Sequence, residues 1–302
     1  ALSHGSFKGG QMYPGEDSSW NDRKFTNVIV RNNIIYNISK NAMIIRMTEG
    51  GVIENNICFN TATGGTGNTM FTVNALKTIF QYNEGFLNKS HDHDGSMYDP
   101  DLSSPETIWR YSYSHDNAHG LLWICTRPKD CGIIVYNNIS ENDHGFLNYF
   151  NYGYTEVEVS NNIYLSDELV NPFLIRENPR NKHGSTKFNN NVIINKSDGM
   201  TYEYHPELIS DQALERREFL HNHFLGKPLF GNYTSTKSSV PSIPYLHRGL
   251  HKTHDDLNKI YHQQIPEVTI IKNKSKGKII ATINNIPVYE PELIEKTNSL
   301  KS

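Results

Sequence analysis

The phrase VIVRNNI at 28–34 returns along the chain as GVIENNI (51–57), TIFQYNE (78–84) and TIWRYSY (107–113), then as IIVYNNI (133–139), VEVSNNI (157–163) and TKFNNNV (186–192). Its sixth position is Asn33, Asn56, Asn83, Ser112, Asn138, Asn162 and Asn191, in steps of 23, 27, 29, 26, 24 and 29 residues. A recurrence this regular restricts the chain to architectures in which each unit packs only on its neighbours. Each phrase alternates β-branched and aromatic residues and lacks the i, i+3, i+4 pattern of a helix, so it reads as a strand.

A second strand follows in each unit: NAMIIRM (41–47), NTMFTVN (68–74), DGSMYDP (94–100), HGLLWIC (119–125) and HGFLNYF (144–150). Aligned on these phrases, Ile44, Phe71, Met97, Leu122 and Leu147 are expected to form one inward apolar column. The asparagine closing the first strand tolerates left-handed backbone, which predicts the same turn in every coil and an asparagine ladder. The expected fold is all-β, a right-handed parallel β-helix over 1–234 with a mixed C-terminal cap or extension over 235–302. Beyond about residue 205 the pattern fades. Residues 211–224 and 247–264 read as short helices, and 267–283 as a hairpin.

Net charge is −3 with 20% charged residues, which gives no electrostatic footprint for nucleic acid. No apolar run approaches the roughly 20 residues of a membrane-spanning helix, so no membrane insertion is expected. Three cysteines, an odd count, argue against a disulfide framework. The N-terminal end of the solenoid lacks a capping pattern, so a partner chain or domain is expected there, with the oligomeric state undetermined.

Residues 91–102, HDHDGSMYDPDL, concentrate four aspartates and two histidines. Asp94-Gly95 occupies the slot of His119-Gly120 and His144-Gly145 in the next two coils, which predicts a file of Asp94, His119 and His144 about 5 Å apart. Asp99 is expected level with Arg46, Val73, Ile124 and Tyr149. Ser96, Tyr98, Trp123 and Asn148 are expected to face outward, where aromatics beside acids make a sugar platform. Asp94, Asp99 and Asp101 are the candidate catalytic groups. Asp99 and Asp101 could share a face at about 6–7 Å, whereas a straight strand would hold Asp94 about 20 Å from Asp101. A kink at Pro100 could bring that second pair together, so both pairings stay open. Glu84, Asp116 and Arg46 on neighbouring coils are expected to line the same groove as substrate-binding groups.

These residues resemble a known group. A β-helix with DG, then D-x-D, then SHDN and HG is similar, over about residues 25–200, to the pectate-lyase-like β-helix proteins that act on carbohydrates. The Asp94/Asp101 spacing is similar to the acidic pair of β-helix lacto-N-biosidases, which are retaining glycosidases. That resemblance implies Asp94 and Asp101 as acid/base and nucleophile, in either order. The pectin hydrolases of this fold carry NTD and RIK, absent here, and GHG, replaced by NAHG at 117–120.

The expectation is a secreted or cell-surface glycoside hydrolase acting on an oligo- or polysaccharide, with no required cofactor and no metal ligands assigned. Two rivals stand beside it. A polysaccharide lyase would use calcium, for which Asp92, Asp94, Asp99 and Asp101 offer hard oxygens, with Arg46 neutralising a uronate. A non-catalytic adhesin would use the flat face for glycan binding alone.

Overall fold

The turn that builds every coil is made by two adjacent residues with different tasks. Asn32, Asn55, Tyr82, Tyr111, Asn137, Asn161 and Asn190, one position before the repeat residue, take the left-handed conformation at φ of 51–60°. The repeat residue itself points inward and hydrogen-bonds to the next coil. Asn33, Asn56 and Asn83 donate their backbone N–H to Asn56 Oδ1, Asn83 Oδ1 and Ser112 Oγ at 3.0–3.1 Å. Ser112, Asn138 and Asn162 donate theirs to Asn138, Asn162 and Asn191 Oδ1 at 2.9–3.0 Å. The ladder is therefore real, but left-handed tolerance is not what selects its asparagines. They are chosen because a carboxamide can accept from one coil while donating to a carbonyl, as Asn83 Nδ2 does to Ile53 O at 3.0 Å.

The computed structural model describes residues 2–3, 12–92, 94–126, 132–145, 147–151, 156–166, 173–177, 185–195, 200–204, 217–220, 223–225, 228–230, 268–273, 278–283 and 286–289. They form an all-β parallel solenoid with three stacked sheets. The first sheet, of nine strands, contains Met43–Arg46, Met70–Val73, Ser96–Pro100, Gly120–Thr126 and Leu147–Asn151 in that order. The second sheet holds the repeat phrases, among them Val52–Glu54, Ile79–Gln81 and Ile108–Arg110. The third follows the asparagine turn with three- and four-residue strands such as Ile57–Phe59, Glu84–Phe86, Tyr113–His115 and Ile139–Glu141. These short strands were not legible as separate elements, because three residues give no periodicity to read.

The inward column of the first sheet is Met43, Met70, Tyr98 and Leu122 by register, and Leu147 pairs with Leu122 in the next strand. This corrects the expected column at Ile44 and Phe71, which face outward, whereas Met97 is buried in the core as expected, beside Tyr98. Asp94-Gly95 does not align with His119-Gly120; Ser96 pairs with Gly120. Asn68 Oδ1 accepts from the backbone N–H of both Gly95 and Ser96, at 2.8 and 2.9 Å. That clasp holds Gly95 and Ser96 at the entry to the strand. A one-residue slip exchanges the faces of a strand. Tyr98, expected outward, is fully buried against Phe80 and Trp109. Its hydroxyl donates to Ser112 Oγ at 2.6 Å, so the one departure from asparagine in the ladder receives the phenol. Burial pushes the Tyr98 pKa up, against the pull of its hydrogen bonds to Ser112 and Asn83.

Trp109 is plain core, stacked on Phe80 with centroids 4.0 Å apart. A short helix, Ser18–Asn21, covers one flank and buries Trp20 against Met47 and Leu76, with the indole N–H donating to Asn74 O at 2.8 Å. In 211–224 the expected helix is not found. Arg217–Leu220 and His223–Leu225 are strands that extend the second and third sheets, because pairing with Thr186–Asn189 and Val192–Ile194 overrides local propensity. The remaining residues of that span, and all of 247–264, lie outside the described residues. The hairpin is present as Val268–Asn273 antiparallel to Lys278–Ile283, with a third strand at Ile286–Tyr289.

Candidate functional site

The slip that turns Tyr98 inward turns Asp99 outward. Asp99 pairs with Phe71, which pairs with Ile44, and those two residues alternate with the buried Met70 and Met43. Asp99 is therefore on the outer face of the first sheet, two strands from Ile44 and not in the file of Arg46. It is nonetheless only 5% exposed. Asn68 Nδ2 donates to its Oδ2 at 2.8 Å, while its Oδ1 is buried with no hydrogen-bond partner. Burial, followed by the charges of Asp101 and Asp94, holds the Asp99 carboxyl well above the usual aspartate range, against the pull of the Asn68 bond. The three candidate acids thus act on one another.

Asp94 and Asp101 flank it and are half-buried. The approach to Asp94 is shaped by Asp92, whose Oδ1 accepts from Ser90 Oγ at 2.7 Å and from the Asp94 backbone N–H at 3.0 Å. This turn takes the chain out of extended geometry before the strand begins, so the straight-strand separation of about 20 Å does not apply. Gly95 is required in it. Its φ is +137°, and a Cβ there would lie 2.5 Å from His119 Cδ2. His119 is half-buried against Gly95 and its backbone N–H donates to Gly95 O at 3.2 Å. His144 is exposed one coil further on, with its N–H on Asn117 O at 2.9 Å. The histidines thus follow the acidic turn coil by coil, although Asp94 is not in their file.

Continuing the Tyr98–Leu122 register by one step places Trp123 level with Asp99, and Trp123 pairs with Asn148. Trp123 is 4% exposed, so it is covered and not an open stacking platform. The Asn148 side chain lies outside what is described, as does His93. Among the described residues no group of three or more His, Cys, Asp or Glu side chains is arranged to hold a metal ion.

Glu84 and Asp116 do not join this groove. They belong to the third sheet and its following turn, where His115 gathers them: Nε2 meets Glu84 Oε1 at 3.1 Å and Nδ1 meets Asp116 Oδ2 at 2.7 Å. Burial alone would lower the His115 pKa, but the two carboxylates outweigh it and the net shift is upward. His115 also ends a stack of Tyr36, Phe59 and Phe86, with ring centroids 4.5–5.1 Å apart and nearly parallel planes. Rings piled along the solenoid axis turn their edges, not their faces, to solvent, so this stack supports the coils and offers no flat surface for a sugar. Beneath it, buried Asp143 accepts from Ser114 Oγ, Ser140 Oγ, Asn117 N and Asn117 Nδ2, the last two at 2.9 Å. Burial pushes its carboxyl up to about 6 despite those four bonds.

Asn68 went unmarked in the sequence. A signal was there: asparagine opens the second phrase at both 41 and 68, and Asn41 Nδ2 donates to Asn68 O at 2.8 Å. Compared with known proteins, the chain matches no family model and no curated protein at a significant level.

Proposed function

We propose that this protein is a glycoside hydrolase in which Asp99 is the general acid and Asp94 or Asp101 the second carboxylate. The observation that carries the reading is the Asp99 carboxyl, buried between two other acids with Oδ1 unpartnered. A hydrolase of this kind needs one carboxyl kept protonated and one ionised, and carboxyl groups close enough to repel each other supply that division. The sequence reading favoured Asp94 and Asp101 as the primary pair; the electrostatics favour Asp99 as the proton donor.

The position of the proton follows from hydrogen bonding. Asn68 Oδ1 is occupied by two backbone N–H groups, which fixes its amide with Nδ2 towards Asp99 Oδ2. Oδ2 is therefore an acceptor, and the proton belongs on Oδ1. In the reaction, a small opening of the outer face at Asp99 would bring the buried Oδ1 to the substrate; its O–H bond breaks as the proton passes to the glycosidic oxygen, and the C–O bond to the leaving sugar opens. Asp94 or Asp101 then either bonds to the anomeric carbon, for later hydrolysis, or takes a proton from the water that attacks it. A carboxyl that retains its proton is a poor calcium ligand, which favours hydrolysis over the calcium-dependent lyase. Secretion or surface display would suit a polymeric glycan substrate.

The test is release of new reducing ends from a panel of glycans by wild type and Asp99→Asn. Loss of release in the variant, with an unchanged fold by circular dichroism, supports the assignment. An Asp99→Asn protein as active as wild type would sink it, and ultraviolet-absorbing products would identify a lyase instead.

A further inference from the structure

The outer face of the second sheet is apolar where the core does not require it. Ile29, Val52, Ile79, Ile108 and Ile134 share one file by register and alternate with core residues such as Ile53, Phe80 and Trp109. Ile29 is 59% exposed and the other four are half-buried. The file turns charged at Glu158, so the stripe has an end. Parallel sheets are ordinarily covered on both faces, and a bounded apolar stripe on an open one marks a docking surface. One margin of the stripe is a locked polar chain. Gln81 Nε2 donates to Glu54 Oε2 at 2.8 Å, Arg110 Nε and Nη2 donate to Gln81 Oε1 at 3.0 and 2.8 Å, and Arg110 Nη1 donates to the Tyr136 hydroxyl at 2.6 Å. The other margin carries the exposed Lys77 and Glu106, 3.8 Å apart. Beside the polar chain, Tyr82 and Tyr111 hold the left-handed slot that Asn32, Asn55, Asn137, Asn161 and Asn190 fill elsewhere, at φ of 55° and 51°. A bulky residue is strained there, and the two coils that accept this strain are adjacent, with their rings stacked 5.4 Å apart.

We propose that this face docks a second copy of the chain, about a two-fold axis that runs along the strands between Ile79 and Ile108. The charges select that axis. Turning one copy about it sets Ile79 on the partner's Ile108, Lys77 on the partner's Glu106, Gln81 on the partner's Arg110 and Glu54 on the partner's Tyr136. Each of these pairs occurs twice, as in any self-complementary contact. A two-fold along the solenoid axis would instead set Glu54 against Gly50 and Tyr136 against Gly132, where neither finds a polar side chain. The locked margin loses little side-chain freedom on association, and tyrosine and arginine are the residues that dominate interface cores. Sheets packed face to face are about 10 Å apart, near enough for these side chains to meet. Five coils by about six residues make a footprint of roughly 24 by 20 Å, at the small end of specific interfaces, so the dimer is of micromolar strength. Asp94, Asp99 and Asp101 belong to the first sheet, so the proposal stands apart from the hydrolase reading.

The experiment is analytical ultracentrifugation of the full chain across the micromolar range. Wild type is expected to pass from monomer to dimer as concentration rises. Ile108→Lys, which puts a charge beside the axis, should stay monomeric. Glu106→Lys changes only an exposed margin and so tests the surface without touching the core. It should weaken the dimer by roughly tenfold, because two ion pairs become two repulsions. Adding Lys77→Glu to Glu106→Lys should restore wild-type association, because the exchanged charges meet again across the axis. A wild type that is monomeric throughout, or a dimer that Glu106→Lys leaves at full strength, overturns the proposal. A double variant no tighter than Glu106→Lys alone overturns it too, since the two residues would then not face each other.

Discussion

Asp143 and Asp99 are both buried aspartates whose carboxyls hold their protons more tightly than a solvated one would. Asp143, beneath the third sheet, has both oxygens occupied, by two serine hydroxyls and by the backbone and side chain of Asn117. Asp99, on the first sheet, has one oxygen on Asn68 and the other on nothing. The same residue type at similar burial is thus finished in one place and left open in the other. A satisfied buried carboxyl joins coils together, whereas an unsatisfied one carries a cost that the rest of the fold sustains.

Replacing each aspartate by asparagine should separate these roles. Asp99→Asn keeps the shape but removes the proton on Oδ1, and glycan cleavage should fall by roughly 10²–10⁴-fold. Its stability should be equal or higher, since a carboxyl crowded by two acids has gone; calorimetry beside the reducing-end assay reads both. A variant that lost stability and kept activity would reverse the comparison.

The next largest effect should come from the ladder, where satisfaction is most complete. Asn83→Ala removes the Oδ1 that accepts from Asn56 N and Asn56 Nδ2, and the Nδ2 that donates to Ile53 O. Groups buried in two coils lose their partners, so unfolding in urea should register a loss of roughly 2–4 kcal/mol.

Asp143 predicts a pH dependence of definite sign. Its folded pKa is about 6, above the roughly 3.9 of an unfolded aspartate. Its contribution is whole below pH 4, where both states are protonated, and is lost as pH rises through 6. Between those values stability should fall by roughly 3 kcal/mol. Asp143→Asn, which can keep its contacts by turning the serine hydroxyls, should flatten that slope in denaturation curves measured across the window.

The smallest effect belongs to His115. Its folded pKa is raised, so its pairing with Glu84 and Asp116 stabilises below the ordinary histidine value and fades as pH rises through the folded one. His115→Gln should remove this weaker slope at neutral to alkaline pH. An unchanged slope would mean that the pair of carboxylates contributes nothing on the half-exposed face.

The contrast between the two sites also explains what was readable in the sequence. The ladder positions were legible from Asn33 to Asn191, because a role repeated in every coil leaves a repeated residue. The acids at 94, 99 and 101 were legible as a cluster because charges so dense need a reason. The face of the strand carrying them was not. That depended on Asn68 holding two successive N–H groups, a single event in one coil that displaced Tyr98 inward and Asp99 outward. The pairing of Glu84 and Asp116 with His115 was missed for a related cause. They lie on three-residue strands and turns, too short to reveal that they belong to another sheet.

The central claim concerns a proton, and carbon-13 NMR of labelled aspartate carboxyls can follow it. Titrating wild type, Asp143→Asn and Asp99→Asn should show two carboxyls that keep their protons above the range of the others, one missing from each variant. A wild-type spectrum in which the only late-titrating carboxyl is the one lost in Asp143→Asn would leave Asp99 ionised and contradict its role as the acid.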